Sequence, residues 1–227
     1  MIDSVKYDIS FLTNKTGKTR TDLKNDVVNR KPYLGIRYPE LKEIAKEISK
    51  LDPIEFLKSS DLSIYEFEII QTYVIGSLKD INEAIKYFEL FIPKAKEWSV
   101  VDSLCQKFII AKKYQSEVWN VLNKYKEIND EYTQRIVAVT ILSHFLNDNY
   151  IDRSIDILDK LRNEGYFTKM AVAWAFATIM AKYPDKCIKY LKTNTLDTWT
   201  HNKAIQKMIE SYRVSEENKI IIRELKR

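Results

Sequence analysis

Glycine and proline are scarce in this sequence, with only four Gly and five Pro among 227 residues. Tight β-hairpins depend on glycine-rich turns, so this scarcity argues against an all-β fold. No apolar run reaches the roughly 18 residues that a membrane span requires. The N-terminus also lacks a basic segment followed by an apolar one, so we expect neither a signal peptide nor a membrane partner.

Cysteine and histidine are rarer still, with two of each. Cys105 and Cys187 lie in apolar helical runs without the C-x-x-C spacing of a zinc site, and two histidines are too few for a histidine-rich metal centre. Glycine-rich phosphate loops and the G-x-S-x-G nucleophile motif are absent as well. We therefore expect reduced core cysteines, no metal, no cofactor and a cytoplasmic protein.

Helical periodicity is what the sequence does contain. Hydrophobic residues make up 45% of the chain and charged residues 30%, which suits solvated helices around a substantial core. The segment from Phe167 to Tyr183 is apolar on nearly all sides, so we expect it to be buried. Four predicted helices begin at recognisable caps or first-turn prolines: Pro39, Asp52-Pro53, Ser63 with Glu66, and Asp80.

About a dozen helices are predicted, and no segment has the pattern of a strand. Pairs of helices recur about every 35–40 residues without a strict consensus, which favours an all-α, curved α-solenoid of HEAT-like repeats. We expect one domain over residues 1–227. Its first 32 residues are less regular, with Thr21 or Asp22 as a candidate cap. A compact helical bundle is the alternative architecture.

Trp98 and Asp102 are four residues apart and therefore share one face of a predicted helix. A buried, unpaired carboxylate is costly, so the pair suits the wall of a cleft better than a core. A core tryptophan beside a surface aspartate is the alternative. Arg135 and Trp174 also lie inside apolar helical segments. On a solenoid, these four residues would occupy successive inner helices and converge on the concave face.

Five segments resemble motifs of the AlkD-like DNA alkylation repair glycosylases: Tyr33–Pro39, Trp98–Ser103, Tyr132–Ile136, Tyr166–Trp174 and Trp199–Lys207. They occur in the family's order and at the right separations. The resemblance implies a HEAT-like solenoid that grips duplex DNA carrying alkylated bases on a basic concave face. We expect the protein to be a monomer. It also implies cleavage of the N-glycosidic bond of cationic N3- or N7-alkylated purines, without a base pocket.

The resemblance further implies roles for the four unusual residues. Asp102 would be the catalytic carboxylate, Trp98 and Trp174 would pack against the sugar of the lesion, and Arg135 would hold the DNA backbone. This chemistry is physically consistent, because a carboxylate and indole faces stabilise the oxocarbenium-like transition state of glycosidic cleavage. Ser143 departs from the family, which has a lysine there, and the segment 21–30 lacks the family's tyrosine.

The net charge of +5 permits a polyanionic partner. Two other functions remain open: a non-catalytic binder of damaged or branched DNA, and a protein-interaction solenoid. We expect Trp119 and Trp199 to brace the helices and Tyr166 and Phe167 to lie in the core. Eight side chains are candidate contacts to the DNA backbone: Arg37, Lys94, Lys96, Lys107, Lys169, His201, Lys203 and Lys207.

Overall fold

The computed structural model describes residues 6–19, residue 24 and residues 31–227. Its described part contains thirteen α-helices, two 3₁₀ turns and no strand beyond isolated β-bridges, which confirms the all-α prediction. The predicted cap at Thr21 or Asp22 lies outside these residues. No helix in the described part combines the length and apolar character needed to cross a bilayer. The chain divides into unit 1, Met1–Ile110, and unit 2, Ala111–Arg227.

Unit 1 is built around α4, which packs against both α2 and α6, while α3 and α5 also contact α4. A 3₁₀ turn at Ile92–Lys94 follows α5, and another spans Ile109–Lys112. Alternate helices thus pack side by side within this unit. Its helices are α1 (Ile9–Thr16), α2 (Tyr38–Leu51), α3 (Pro53–Ser59), α4 (Tyr65–Ser77), α5 (Ile81–Phe91) and α6 (Trp98–Lys107).

Three of the four predicted helix starts in unit 1 are confirmed. Pro39 lies in the first turn of α2. The side chain of Asp52 accepts a hydrogen bond from the Glu55 amide at 2.9 Å, and Asp80 caps α5 in the same way. The predicted cap at Ser63 is wrong, because α4 begins at Tyr65 and lacks a side-chain cap.

Glu66 does not form the capping box that was predicted for it with Ser63. It is 1% exposed, and its Oε1 accepts hydrogen bonds from the backbone amides of Leu34, Gly35 and Ile36 at 2.8, 2.9 and 3.3 Å. Gly35 has φ +72°, a left-handed conformation that favours glycine. A buried carboxylate on α4 therefore fixes the loop that leads into α2.

Unit 2 repeats this plan around α10, which packs against both α8 and α12. Contacts on two sides explain why α10 is apolar almost all round, and its predicted burial is confirmed for most of its residues. Cys187 is buried and free, as is Cys105 in unit 1. The helices of unit 2 are α7 (Gln115–Tyr125), α8 (Glu131–His144), α9 (Ile151–Lys160), α10 (Tyr166–Lys182), α11 (Pro184–Leu191), α12 (Thr198–Glu210) and α13 (Glu216–Arg223).

Candidate functional site

Trp98 is the first residue of α6, and its side chain is 40% exposed. Glu97 caps this helix: its Oε2 accepts hydrogen bonds from the amides of Ser99 and Val100 at 2.8 and 3.3 Å. The same oxygen accepts from the Ser99 hydroxyl. The cap therefore fixes the turn from which the indole projects, and its exposure excludes the alternative of a core tryptophan.

Asp102 lies one turn further along α6 and is half-buried. The residues that separate it from Trp98 include Val100 and Val101, which are fully buried against the rest of the unit. Beside Asp102, the hydroxyl groups of Ser103 and Thr72 share a hydrogen bond of 2.6 Å, which ties α6 to α4. A rigid helix thus presents the indole and the carboxylate on one face, as the spacing predicted.

Two tyrosines extend this surface toward α2. The hydroxyl groups of Tyr38 and Tyr65 share a hydrogen bond of 2.8 Å, and Tyr65 shares another of 2.7 Å with the hydroxyl of Ser99. Burial raises the pKa of Tyr65, so its phenol stays protonated at neutral pH. Neither tyrosine was predicted as a site residue, because each is the first residue of a helix and lies outside the apolar stripe.

Arg135 belongs to unit 2 and is 6% exposed on α8. Its Nη1 donates a hydrogen bond of 2.7 Å to the backbone carbonyl of Phe167, and its Cζ lies 6.0 Å from the centre of the Phe167 ring. Glu131 of α8 accepts a hydrogen bond from the Phe167 amide at 2.7 Å. The guanidinium is therefore anchored against the first turn of α10.

Trp174 is half-buried in α10, between the fully buried Ala173 and Ala175. It lies seven residues after Phe167, which is two helical turns along the same face. The structure therefore places Trp174 and Phe167 on the partly exposed side of α10, with the Arg135 guanidinium against the Phe167 ring.

Four rings, two half-buried and two exposed, form a strip across the N-terminal ends of α8, α10 and α12. Neighbouring ring centres are 5.5–5.8 Å apart. Tyr166 is 57% exposed, so the prediction that it lies in the core is wrong, while Trp199 is 40% exposed and its ring contacts that of Tyr166. Trp119, by contrast, is buried against Phe145 as predicted. We call this set the aromatic strip: Tyr132, Phe167, Tyr166 and Trp199.

Two residues of unit 2 that were predicted to contact the DNA backbone already have partners within the protein. His201 is fully buried, with Nε2 2.7 Å from the carbonyl of Leu225 and Nδ1 3.1 Å from the Asn194 amide nitrogen. Burial lowers the pKa of His201. Lys169 pairs with Glu164 and with Asp197 at 3.6 Å, and hydrogen bonding to Glu164 raises the pKa of Lys169. We leave His201 and Lys169 out of the proposed DNA contacts.

The other predicted cations are half-buried or exposed. The ammonium of Lys203 lies 5.7 Å from the centre of the Trp199 ring, and Lys207 follows one turn later on α12. In unit 1, Lys107 lies 5.0 Å from the ring centre of Tyr73. The remaining predicted cations of unit 1 are exposed: Arg37, Lys94 and Lys96.

A protein-family model described as DNA alkylation repair enzyme matches residues 11–208, most of the chain. The match begins well before Tyr33, the first residue of the five resembling segments, so the likeness extends into the N-terminal region. No curated protein matches the sequence significantly.

Proposed function

The chain belongs to the DNA alkylation repair enzyme family, and from that premise we propose that it is a DNA glycosylase acting on cationic N3- or N7-alkylated purines in duplex DNA. Family membership supports a role in DNA repair. The observation that carries the finer proposal is the exposed indole of Trp98 one turn from the half-buried carboxylate of Asp102, on a helix whose other side is buried in unit 1.

In the proposed reaction, the bond between C1′ of the deoxyribose and the base nitrogen breaks. Its electron pair leaves with the base and neutralises the positive charge that alkylation put there. The oxygen of a water molecule then adds to C1′, and the proton of that water passes to solvent. Asp102 supplies a negative charge for the oxocarbenium-like transition state and orients the water.

Trp98 supports the same step, since the face of an indole stabilises a nearby cation by about 0.5–2 kcal/mol. We propose that Trp174 packs against the sugar of the substrate and that Arg135 contacts its backbone, on the family resemblance. The anchoring of Arg135 to the Phe167 carbonyl supports a fixed guanidinium, which costs little entropy when it binds phosphate.

The helices support a binding role for both units. Within each unit, alternate helices pack side by side, and we propose that these are HEAT-like repeats. The aromatic strip and Lys203 combine ring faces with a cation, the pairing that proteins use to hold unstacked nucleic acid. We propose that this surface holds the DNA substrate together with Lys207, Arg37 and Lys96.

The proposal is tested with duplex DNA containing 7-methylguanine under single-turnover conditions. We expect the wild-type protein to release the base and Asp102→Asn to slow release by about 10²–10³-fold, since the amide has no charge to stabilise the transition state. Binding of the duplex should persist in this variant. Equal release by Asp102→Asn would remove the carboxylate from the mechanism.

Salt-dependent binding without any release would instead favour a non-catalytic binder of damaged or branched DNA. In that case the aromatic strip and the lysines of α12 would account for the whole interaction. A chain that neither binds nor cleaves the duplex would leave only the protein-interaction alternative.

A further inference from the structure

Three hydroxyl groups form a hydrogen-bonded chain in unit 1, beside Trp98. The phenol of Tyr38 lies 2.8 Å from that of Tyr65, which lies 2.7 Å from the Ser99 hydroxyl. The Ser99 hydroxyl in turn contacts Oε2 of Glu97, the cap of α6. Together with the Trp98 ring, these three side chains line one cavity of about 360 Å³. We call Tyr38, Tyr65 and Ser99 the hydroxyl chain.

The carboxylate of Glu97 fixes the direction of every bond in the hydroxyl chain. A hydroxyl group has a single proton to donate, and an ionised carboxylate only accepts. The Ser99 proton therefore goes to Glu97, so the Ser99 oxygen accepts from Tyr65, and the Tyr65 oxygen accepts from Tyr38. All three protons point toward the cap of α6. Hydrogen bonds aligned in this way polarise and strengthen one another.

Each member of the hydroxyl chain belongs to a different helix. Tyr38 is the first residue of α2, Tyr65 is the first of α4, and Ser99 is the second of α6. These helices also pack through apolar side chains, but apolar contact has no preferred direction and fixes the position of one helix along another only loosely. The hydroxyl chain therefore sets where α6 begins relative to α4.

A second tie between α6 and α4 lies one turn further along. The Thr72 hydroxyl donates to the Ile69 carbonyl at 2.7 Å, so the Ser103 hydroxyl donates to Thr72 at 2.6 Å. Ser99 directly follows Trp98, and Ser103 directly follows Asp102. Each residue assigned to the chemistry is thus followed by a serine whose hydroxyl is bonded to α4.

We propose that Tyr65 is a positioning residue for base release, acting through Ser99 to set where α6 holds the indole of Trp98 and the carboxylate of Asp102. Because these two groups are the ones assigned to the chemistry, this role rests on the proposed function. Tyr65 needs no contact with DNA to act in this way. A misplacement of 1 Å in reacting groups can slow a reaction by about 10²-fold, so a smaller shift of α6 is enough for a measurable effect.

Tyr65→Phe keeps the ring and removes the hydroxyl. We expect the single-turnover rate constant on duplex DNA containing 7-methylguanine to fall about 10-fold, while the dissociation constant stays within about twofold of wild type. Tyr190→Phe is the matched control, since Tyr190 is a half-buried tyrosine of unit 2 whose hydroxyl donates to Asp159. It should lower the melting temperature and leave the rate constant unchanged. An unchanged rate in Tyr65→Phe, or an equal loss of rate in both variants, would overturn the proposal.

Ser99→Ala breaks the same link from the side of α6. If Tyr65 acts through Ser99, the variant that combines Tyr65→Phe with Ser99→Ala should release the base no more slowly than Ser99→Ala alone. Rate losses that multiply in the combined variant would mean that the two hydroxyl groups act separately, and would overturn the proposal.

A measurement that needs no activity separates this role from the proposed function. The backbone amide of Asp102 lies almost one turn beyond Ser99, so its signal in a ¹H–¹⁵N spectrum reports a displacement of α6. Tyr65→Phe should shift this signal, and Tyr190→Phe should leave it in place. An unmoved signal in Tyr65→Phe would overturn the positioning role even if the wild-type protein releases the base. A shifted signal without base release by the wild-type protein would support the tie and contradict the glycosylase alone.

Discussion

The two units place their polar groups differently. In unit 1, Asp102 is half-buried on the face of α6 that carries the exposed Trp98, and the hydroxyl chain ends at the cap of that helix. In unit 2, two cations have partners within their own unit: Arg135 donates to the Phe167 carbonyl, and Lys169 is held by two carboxylates. Under the proposed function, unit 1 supplies Trp98 and Asp102 for the chemistry, and unit 2 supplies a cationic and aromatic binding surface.

The sharpest structural contrast concerns Arg135. Arg135→Ala should lower the free energy of unfolding by about 2–3 kcal/mol, because it removes a charged hydrogen bond that ties α8 to α10. Urea unfolding measures this effect. Arg213→Ala, at an exposed position of the same unit, should change stability by less than about 0.5 kcal/mol. Equal effects of the two substitutions would mean that the anchor contributes nothing to unit 2.

Helix packing in the two units can be compared at one glycine in each, Gly76 in unit 1 and Gly165 in unit 2. A Cβ on Gly76 would collide with the backbone carbonyl of Lys107, whereas one on Gly165 would meet the side chain of Glu131. Gly76→Ala should therefore cost about 1–3 kcal/mol of stability, although alanine is the better helix former. Gly165→Ala should cost less, since a side chain moves more easily than a backbone. Thermal unfolding of both variants tests the order, and stabilisation by Gly76→Ala would contradict the tight approach of α4 and α6.

The binding role proposed for unit 2 predicts a change in the salt dependence of DNA affinity. Lys203→Ala combined with Lys207→Ala should reduce the slope of log affinity against log salt by about 2, one for each lost phosphate contact. Fluorescence anisotropy with duplex DNA at several salt concentrations measures the slope. Lys189→Ala with Lys192→Ala is the matched pair on and just after α11. If both double variants reduce the slope equally, the effect comes from net charge alone and not from contacts of Lys203 and Lys207.

The smallest expected effect concerns His201 and pH. Its pKa is lowered in the folded state by burial, so the unfolded chain binds more protons as the pH falls below its ordinary value near 6.5. Stability should therefore decrease between about pH 7 and pH 5.5. His201→Gln should reduce the drop in melting temperature between pH 7 and pH 5.5, because glutamine takes up no proton. An unchanged pH dependence would indicate that His201 does not contribute to acid sensitivity.

Local rules predicted much of the fold. Pro39, Asp52 and Asp80 act within one helical turn, so sequence alone located three helix starts. Glu66 shows the limit: its spacing from Ser63 matched a capping box, but its carboxylate binds a loop about thirty residues earlier in the chain. A partner that distant in sequence leaves no local signature.

The site was predicted unevenly for the same reason. Trp98 and Asp102 are local neighbours, and their shared face followed from helical spacing. The exposure of Tyr166 and Trp199 was not predicted, because a ring in the first turn of a helix has the same local pattern whether it is covered or not. The burial of His201 was missed because its partners, Asn194 and Leu225, come from a loop and from the C-terminal residues.

The roles proposed for the two units, chemistry for unit 1 and DNA binding for unit 2, are tested most directly by measuring two constants on one substrate. These are the single-turnover rate constant at saturating protein and the dissociation constant, for a duplex containing 7-methylguanine. We predict that Asp102→Asn lowers the rate constant by about 10²–10³-fold and leaves the dissociation constant nearly unchanged. Lys203→Ala combined with Lys207→Ala should raise the dissociation constant and leave the rate constant nearly unchanged. A rate constant that survives in Asp102→Asn while its affinity falls would contradict the assignment of the chemistry to unit 1.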